Sequence, residues 1–237
     1  MMLRFVRALL FDVLAALLTV VMGLMFLPLT LWSEQATCWV MRSWGRLMLV
    51  LVRVVVGIRV EGPDLRDLPA GPVILAPKHQ SSLDVIIMVA QPCSPVFVLK
   101  RELRRMPVIG WYAVRGGHIL VDRDAGAPAL RAMLHAAEAA VAKGRPLAIF
   151  PEGTRTPPGA APELKPGIVA VASQLGATVV PIALNSGLCW GRKQFLKRPG
   201  VVAVVAHPPL AASLGRKTML AALYAGINSL NHEDARR

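Results

Sequence analysis

The sequence predicts an α/β domain, a mixed and mainly parallel sheet flanked by helices, with an N-terminal membrane-associated helix pair. Three observations carry that expectation. Beyond residue 60, short β-rich apolar runs alternate with stretches of helical periodicity, as strands joined by crossover helices do. Before residue 60 lie two long apolar stretches bordered by arginines. Finally, the 237 residues are 54% hydrophobic and 17% charged, with 27 Lys and Arg against 14 Asp and Glu. That composition excludes a disordered chain, collagen and coiled coil. The net charge of +13 calls for an anionic partner, and joined to such apolarity it favours a membrane surface over nucleic acid.

Residues 13–32 contain no charge, and twenty apolar residues are about what a helix needs to cross a bilayer core. The stretch is too long for a signal-peptide core and lacks a small-x-small cleavage site, although Arg4 and Arg7 precede it; it is expected to be retained. If 35–56 is helical, Arg42, Arg46 and Arg53 fall within about 40° of one another and leave a broad apolar surface, as on an interfacial helix. Basic residues on both sides favour a monotopic pair over a single span, which would export one cluster. The sequence thus divides into membrane-embedded or interfacial helices at 1–59 and a catalytic domain at 60–237.

In the second part, 73–76, 96–99, 119–121, 147–150, 179–184 and 201–206 read as buried strands. Residues 128–143 carry Leu130, Leu134, Ala137 and Val141 at helical spacing and stop at Gly144; 166–175 stops at Gly176. The chemistry should gather in loops at the strand ends.

The first such loop is Lys78-His79-Gln80-Ser81-Ser82-Leu83-Asp84. On one continuous helix, His79 and Asp84 would stand about 140° apart, so they meet only if His79 lies in the loop and Asp84 in the first turn of the following helix, with Ser81 or Ser82 as N-cap. A carboxylate on one imidazole nitrogen leaves the other as a general base. The same spacing also reads as a capping box with no catalytic role, and spacing alone leaves both open. A second loop, Phe150-Pro151-Glu152-Gly153-Thr154-Arg155, suits anion capture: Gly153 allows a sharp turn and Arg155 can make charge-assisted bonds to phosphate. It also reads as a plain turn with a surface charge. A third run, Lys100-Arg101-Glu102-Leu103-Arg104-Arg105, leads through Gly110-Trp111 to Val121-Asp122-Arg123 and adds cations at strand ends.

No metal is expected: His118, His135, His207 and His232 show no ligand spacing with one another or with Cys38, Cys93 and Cys189. Those three scattered cysteines make no disulfide framework and suit a reducing, cytoplasm-facing location. Nucleotide-binding glycine motifs and the serine-hydrolase elbow are absent from the sequence. The aromatic and basic run Trp190-Gly191-Arg192-Lys193-Gln194-Phe195-Leu196-Lys197-Arg198 suits a membrane interface as well as a nucleic acid, and no nucleic-acid partner is expected.

Taken in order, the three loops and Val180-Pro181-Ile182-Ala183-Leu184 resemble the four blocks of the 1-acylglycerol-3-phosphate O-acyltransferase (lysophosphatidic acid acyltransferase) family. The resemblance spans roughly 110 residues in those blocks, and the N-terminal helix pair looks like the family's membrane element. It implies that His79, oriented by Asp84, is the base that activates the sn-2 hydroxyl of lysophosphatidic acid. Lys100, Arg123, Glu152, Gly153 and Arg155 would form the phosphate site. The co-substrate would be acyl-CoA or acyl-carrier protein, with no resident cofactor, and the place the cytoplasmic face of a bacterial inner membrane. The sequence departs from the pattern at Lys78, where the family often has Asn; that leaves the base intact and bears on the identity of the acceptor. Alternatives within reach are another lysolipid acceptor, such as a lyso-ornithine lipid or lysophospholipid, and a non-catalytic basic scaffold.

Overall fold

The computed structural model describes residues 2–122 and 127–231. It opens with α1 (Met2–Met25), α2 (Leu27–Trp32) and α3 (Glu34–Leu51). The apolar segment expected at 13–32 therefore starts earlier and breaks at Phe26 (φ −95°, ψ 7°), where Pro28 follows in the first turn of α2. Proline lacks the N–H that would continue the ladder, and its ring collides with the carbonyl four residues back. Ser33 caps α3 by accepting from the Ala36 amide at 3.0 Å, and Trp44 Nε1 donates to Thr19 Oγ1 at 3.1 Å, closing α1 and α3 into a hairpin. The helix expected at 35–56 ends at Leu51; Val52–Val56 widen into a π turn that stops at Gly57 in the left-handed region (φ +83°), where glycine carries no Cβ penalty.

Seven strands follow: β1 (Ile58–Glu61), β2 (Val73–Pro77), β3 (Val96–Lys100), β4 (Ile119–Val121), β5 (Leu147–Ala148), β6 (Thr178–Leu184) and β7 (Gly200–Ala206). They form one sheet in the order β1-β7-β6-β2-β5-β3-β4. The five from β6 to β4 run parallel, β7 turns antiparallel to β6, and β1 lies parallel to β7. The mixed, mainly parallel sheet is as the alternation predicts. Two elements differ. β1 went unpredicted, and the boundary drawn between residues 59 and 60 falls inside it. β5 has two ladder residues rather than four, because the chain leaves the sheet for the turn at Pro151.

Both faces of the sheet are buried, as parallel strands require. Leu75, Ile182 and Val202 point to one side, packed with Phe11 of α1, Met48 of α3 and Leu83 and Ile87 of α4 (Ser82–Val89). Ile74, Val179 and Leu147 point to the other, beneath α6 (Ala127–Ala142), α7 (Gly167–Leu175) and α8 (Arg216–Ile227). The N-terminal helices thus share a core with the sheet.

The remaining helix, α5 (Ile109–Arg115), is fastened to the α1–α2 break. Trp111 Nε1 donates to Thr30 Oγ1 at 2.9 Å, Tyr112 Oη to the Gly23 carbonyl at 3.2 Å, and Arg115 to the Thr30 carbonyl at 2.8 Å. Val108, in the left-handed region (φ +60°), packs so close to Gly23 that a Cβ there would lie 2.2 Å from its methyl carbon.

Candidate active site

The three parallel strands β2, β5 and β6 deliver three loops to their shared carboxyl edge, where ligands bind in open α/β sheets. The loop after β2 is set by the start of α4. Ser81 takes the extended N-cap conformation (φ −142°, ψ 164°), and its Oγ accepts from the Leu83 amide at 3.0 Å. Asp84 Oδ2 reaches back to the amides of Ser81 and Gln80 at 2.7 and 2.6 Å. The same oxygen lies 3.2 Å from His79 Nδ1. Capping the helix and holding the imidazole, which spacing left as alternatives, are both done by one carboxylate.

Asp84 is fully buried, whereas the His79 side chain keeps 16% of its surface exposed. An ionised carboxylate can only accept, so the proton on the ring belongs on Nδ1 and the basic lone pair on Nε2. The imidazole stacks on Phe150 with centroids 4.0 Å apart and planes inclined by 26°. From the loop after β6, Ser186 Oγ donates to Asp84 Oδ1, so both carboxylate oxygens are held. Gln80 Oε1 accepts from the Gly187 amide at 3.0 Å and ties the same two loops together. Phe150, Ser186 and Gln80 were not singled out as site residues by the sequence. Asp84 and Ser186 are 102 residues apart, and nothing local announces their contact.

The loop after β5 turns the Glu152 side chain inward, fully buried, where its carboxylate binds protein groups. Its Oε2 accepts from the His79 amide at 2.6 Å; Oε1 accepts from Thr156 Oγ1 at 2.8 Å and from Lys78 Nζ at 3.4 Å. Thr156 also binds the His79 carbonyl through its amide at 2.8 Å. The Pro-Glu-Gly-Thr-Arg turn is therefore the cradle of the histidine backbone. Gly153 makes the bend at φ +70°, and its amide donates to the Phe150 carbonyl at 3.1 Å. Lys78 is wholly enclosed, and burial lowers its pKa against the raising effect of Glu152 and Asp84.

Arg155 stands beside the dyad, half-buried, with Nη1 donating to Ser82 Oγ at 2.8 Å. The rest of its five-donor fork can serve an anion. Lys100 is exposed at the carboxyl end of β3, two strand spacings, about 10 Å, from β2. Arg123 lies outside the described residues, as does His232. Among the described residues, no three His, Cys, Asp or Glu side chains gather as a metal site.

The family model described as Acyltransferase matches residues 57–185. The chain belongs to the acyltransferase family. The match contains both members of the dyad and both residues 152 and 155, and leaves out α1 to α3. Among relatives, the 1-acyl-sn-glycerol-3-phosphate acyltransferase of Pseudomonas aeruginosa is 36% identical over 175 residues, 73% of this chain and 67% of that protein. The human 1-acyl-sn-glycerol-3-phosphate acyltransferase alpha is 33% identical over 143 residues, 60% of this chain and half of that protein. In fold, the chain is similar to the 1-acyl-sn-glycerophosphate (LPA) acyltransferase PlsC of Thermotoga maritima, with a TM-score of 0.77 at 20% identity over 98% of this chain and 100% of that one.

Proposed function

We propose that this acyltransferase moves a fatty acyl group from acyl-CoA or acyl-carrier protein to the sn-2 hydroxyl of lysophosphatidic acid, forming phosphatidic acid. The observation that carries the reading is the half-open imidazole of His79 held through Nδ1 by buried Asp84, with the Arg155 fork on Ser82, the first residue of the same helix. His79 Nε2 removes the hydroxyl proton as the oxygen attacks the thioester carbonyl. Asp84 stabilises the imidazolium that results. The tetrahedral intermediate expels the thiolate, which takes the proton back from His79 and leaves as the thiol. No acyl-enzyme is needed. Arg155, with Lys100 and Arg123, would hold the acceptor phosphate. The printed names of the relatives support lysophosphatidic acid as that acceptor.

The reading places the protein on the cytoplasmic face of a bacterial inner membrane, monotopic rather than spanning. α1 is apolar on two sides: Ala8, Phe11 and Met22 are buried in the fold, while Val13, Leu17, Val20, Val21 and Leu24 are exposed. A helix that faced water would carry polar residues there. Yet Asp12 on α1 pairs with Lys197 Nζ at 2.7 Å, and that ammonium sits 4.9 to 5.6 Å from the ring centroids of Phe11, Trp190 and Phe195. A helix clamped sideways to the domain in this manner lies in the interface instead of crossing it. Exposed Met106, Ile109 and Trp111 extend the apolar face near α5, with exposed Arg104 and Arg105 beside them for anionic head groups.

The test is transfer from labelled acyl-CoA and acyl-carrier protein to a panel of lysolipids in detergent. Phosphatidic acid should form, and Arg155→Ala should raise KM for lysophosphatidic acid about tenfold or more, from the loss of a charge-assisted contact. Preference for a lysolipid without a phosphomonoester, insensitive to Arg155, would transfer the reading to the lyso-ornithine or lysophospholipid class. Vesicle binding without transfer from either donor would leave the scaffold reading.

A further inference from the structure

Two carboxylates hold the loop that carries His79. Asp84 takes the amides of Gln80 and Ser81, and Glu152 takes the amide of His79 itself. The charge on Asp84 is met by those amides, the imidazole and the Ser186 hydroxyl. The charge on Glu152 is met by Lys78. The Lys78 ammonium has three acceptors around it: Glu152 Oε1 at 3.4 Å, the Ala160 carbonyl at 2.9 Å and the side-chain oxygen of Asn228 at the end of α8. An ammonium has three N–H donors, so the group is fully used. Its side chain is 0% exposed, and no substrate can touch it.

We propose that Lys78 is a positioning residue for His79 acting through Glu152: the ammonium neutralises the carboxylate that anchors the His79 amide, and so sets where the imidazole stands and how readily it takes a proton. The inference rests on His79 being the base, as in the proposed function. Its physics is that of a buried pair. Removing one partner strands the other charge, whereas replacing both by neutral groups of similar size is tolerated. A stranded Glu152 carboxylate would favour the imidazolium form of the neighbouring ring. It would also leave the His79 amide on an anchor no longer fixed to Asn228 and Ala160.

The experiment compares Lys78→Met, Glu152→Gln and the double variant in the detergent-solubilised full chain. Two quantities are read: the acid limb of kcat/KM against pH, and the His79 ring titration by NMR with labelled histidine. Lys78→Met should move both upward by about one pH unit. It should lower kcat about tenfold to hundredfold, the effect of a slightly misplaced base, with the acceptor KM little changed. Adding Glu152→Gln should return both titrations and recover most of the rate, so that the two losses do not add. If Lys78→Met leaves both titrations in place, or if Glu152→Gln adds its full loss on top, the proposal is overturned. Should Lys78→Met not fold, Asn228→Ala keeps the ion pair and removes one acceptor. It should lower kcat about tenfold at constant KM, in line with one charge-assisted hydrogen bond; unchanged kcat overturns the proposal. The NMR titration needs no acceptor. A protein that transfers to none of the lysolipids would sink the functional reading while the titration still decides the role of Lys78.

Discussion

The carboxyl edge of β2, β5 and β6 and the outer face of α1 depart from the usual inside–outside arrangement in opposite directions. At the sheet edge, Lys78, Asp84, Glu152 and Ser186 are buried, against the strong tendency of charged side chains to stay in water. On α1, Leu17 is 57% and Leu24 61% exposed, in a row too long to be incidental. Each departure has its own compensation. The buried charges are matched donor to acceptor, and the proposed function gives the exposed methyls lipid. On the proposed function, the misplaced residue has a use in both regions, the polar one for chemistry and the apolar one for a lipid surface.

The sharpest way to break this comparison lies in the dyad. His79→Ala should cut turnover by about 10²- to 10⁴-fold while leaving the urea midpoint close to the unmutated value, since the ring is partly exposed. Asp84→Ala should cut turnover as well, and also lose about 2 to 3 kcal/mol of stability, because the Gln80 and Ser81 amides and the Ser186 hydroxyl lose their acceptor. Equal urea midpoints for the two would mean that Asp84 does not serve both purposes. Next in size, Leu17→Glu with Val21→Glu should reduce partition into anionic vesicles by about 100-fold, from the transfer energy of two aliphatic side chains, with unchanged unfolding in detergent. Undiminished vesicle flotation would show that lipid meets another face.

The smallest effect probes the seam between the regions. His118 accepts from the Phe97 amide at 3.2 Å through Nδ1, and its Nε2 is buried without a partner. Burial, with the nearby positive charge of Arg145, pushes its pKa down to about 3 from 6.5. The unfolded chain takes up the proton and the folded one does not, so this stability is whole above pH 6.5 and is lost as pH falls toward 3, by about 1.4 kcal/mol per unit. Between pH 7 and 5, urea unfolding should lose about 2 kcal/mol from this group. His118→Asn should flatten the dependence, and an identical slope in the variant would remove His118 as its source.

Much of the fold was legible because its strands are short apolar runs buried on both faces, and α4, α6 and α7 carry their own punctuation in Ser81, Gly144 and Gly176. β1 was not, since Ile58–Glu61 has one buried residue in four and gains its identity from β7, far along the chain. The break at Phe26 was signalled by Pro28 and outweighed by the evenness of the apolar run. In the site, the pairing of His79 with Asp84 was legible because its partners lie within one turn of a loop. The role of Glu152 was not. A Pro-Glu-Gly turn does not reveal which way its carboxylate points, and its partners Lys78 and His79 lie more than seventy residues away. Lys78 read as a departure from a family pattern, whereas the fold makes it the counter-ion of that carboxylate.

The clamp between Asp12 and Lys197 has a consequence for how the chain is made. The two are 185 residues apart, and the rings around the ammonium come from Phe11 at one end and Trp190 and Phe195 near the other. α1 is made long before Lys197, so the seat of Asp12 does not exist until the last fifth of this sequence has emerged. At about 5 to 20 residues per second, the helix must wait for roughly 10 to 40 seconds with Asp12 unpaired. The α1–α3 hairpin, whose residues are made early, can close during that interval, so the Asp12–Lys197 clamp fastens α1 to the domain after the hairpin has formed.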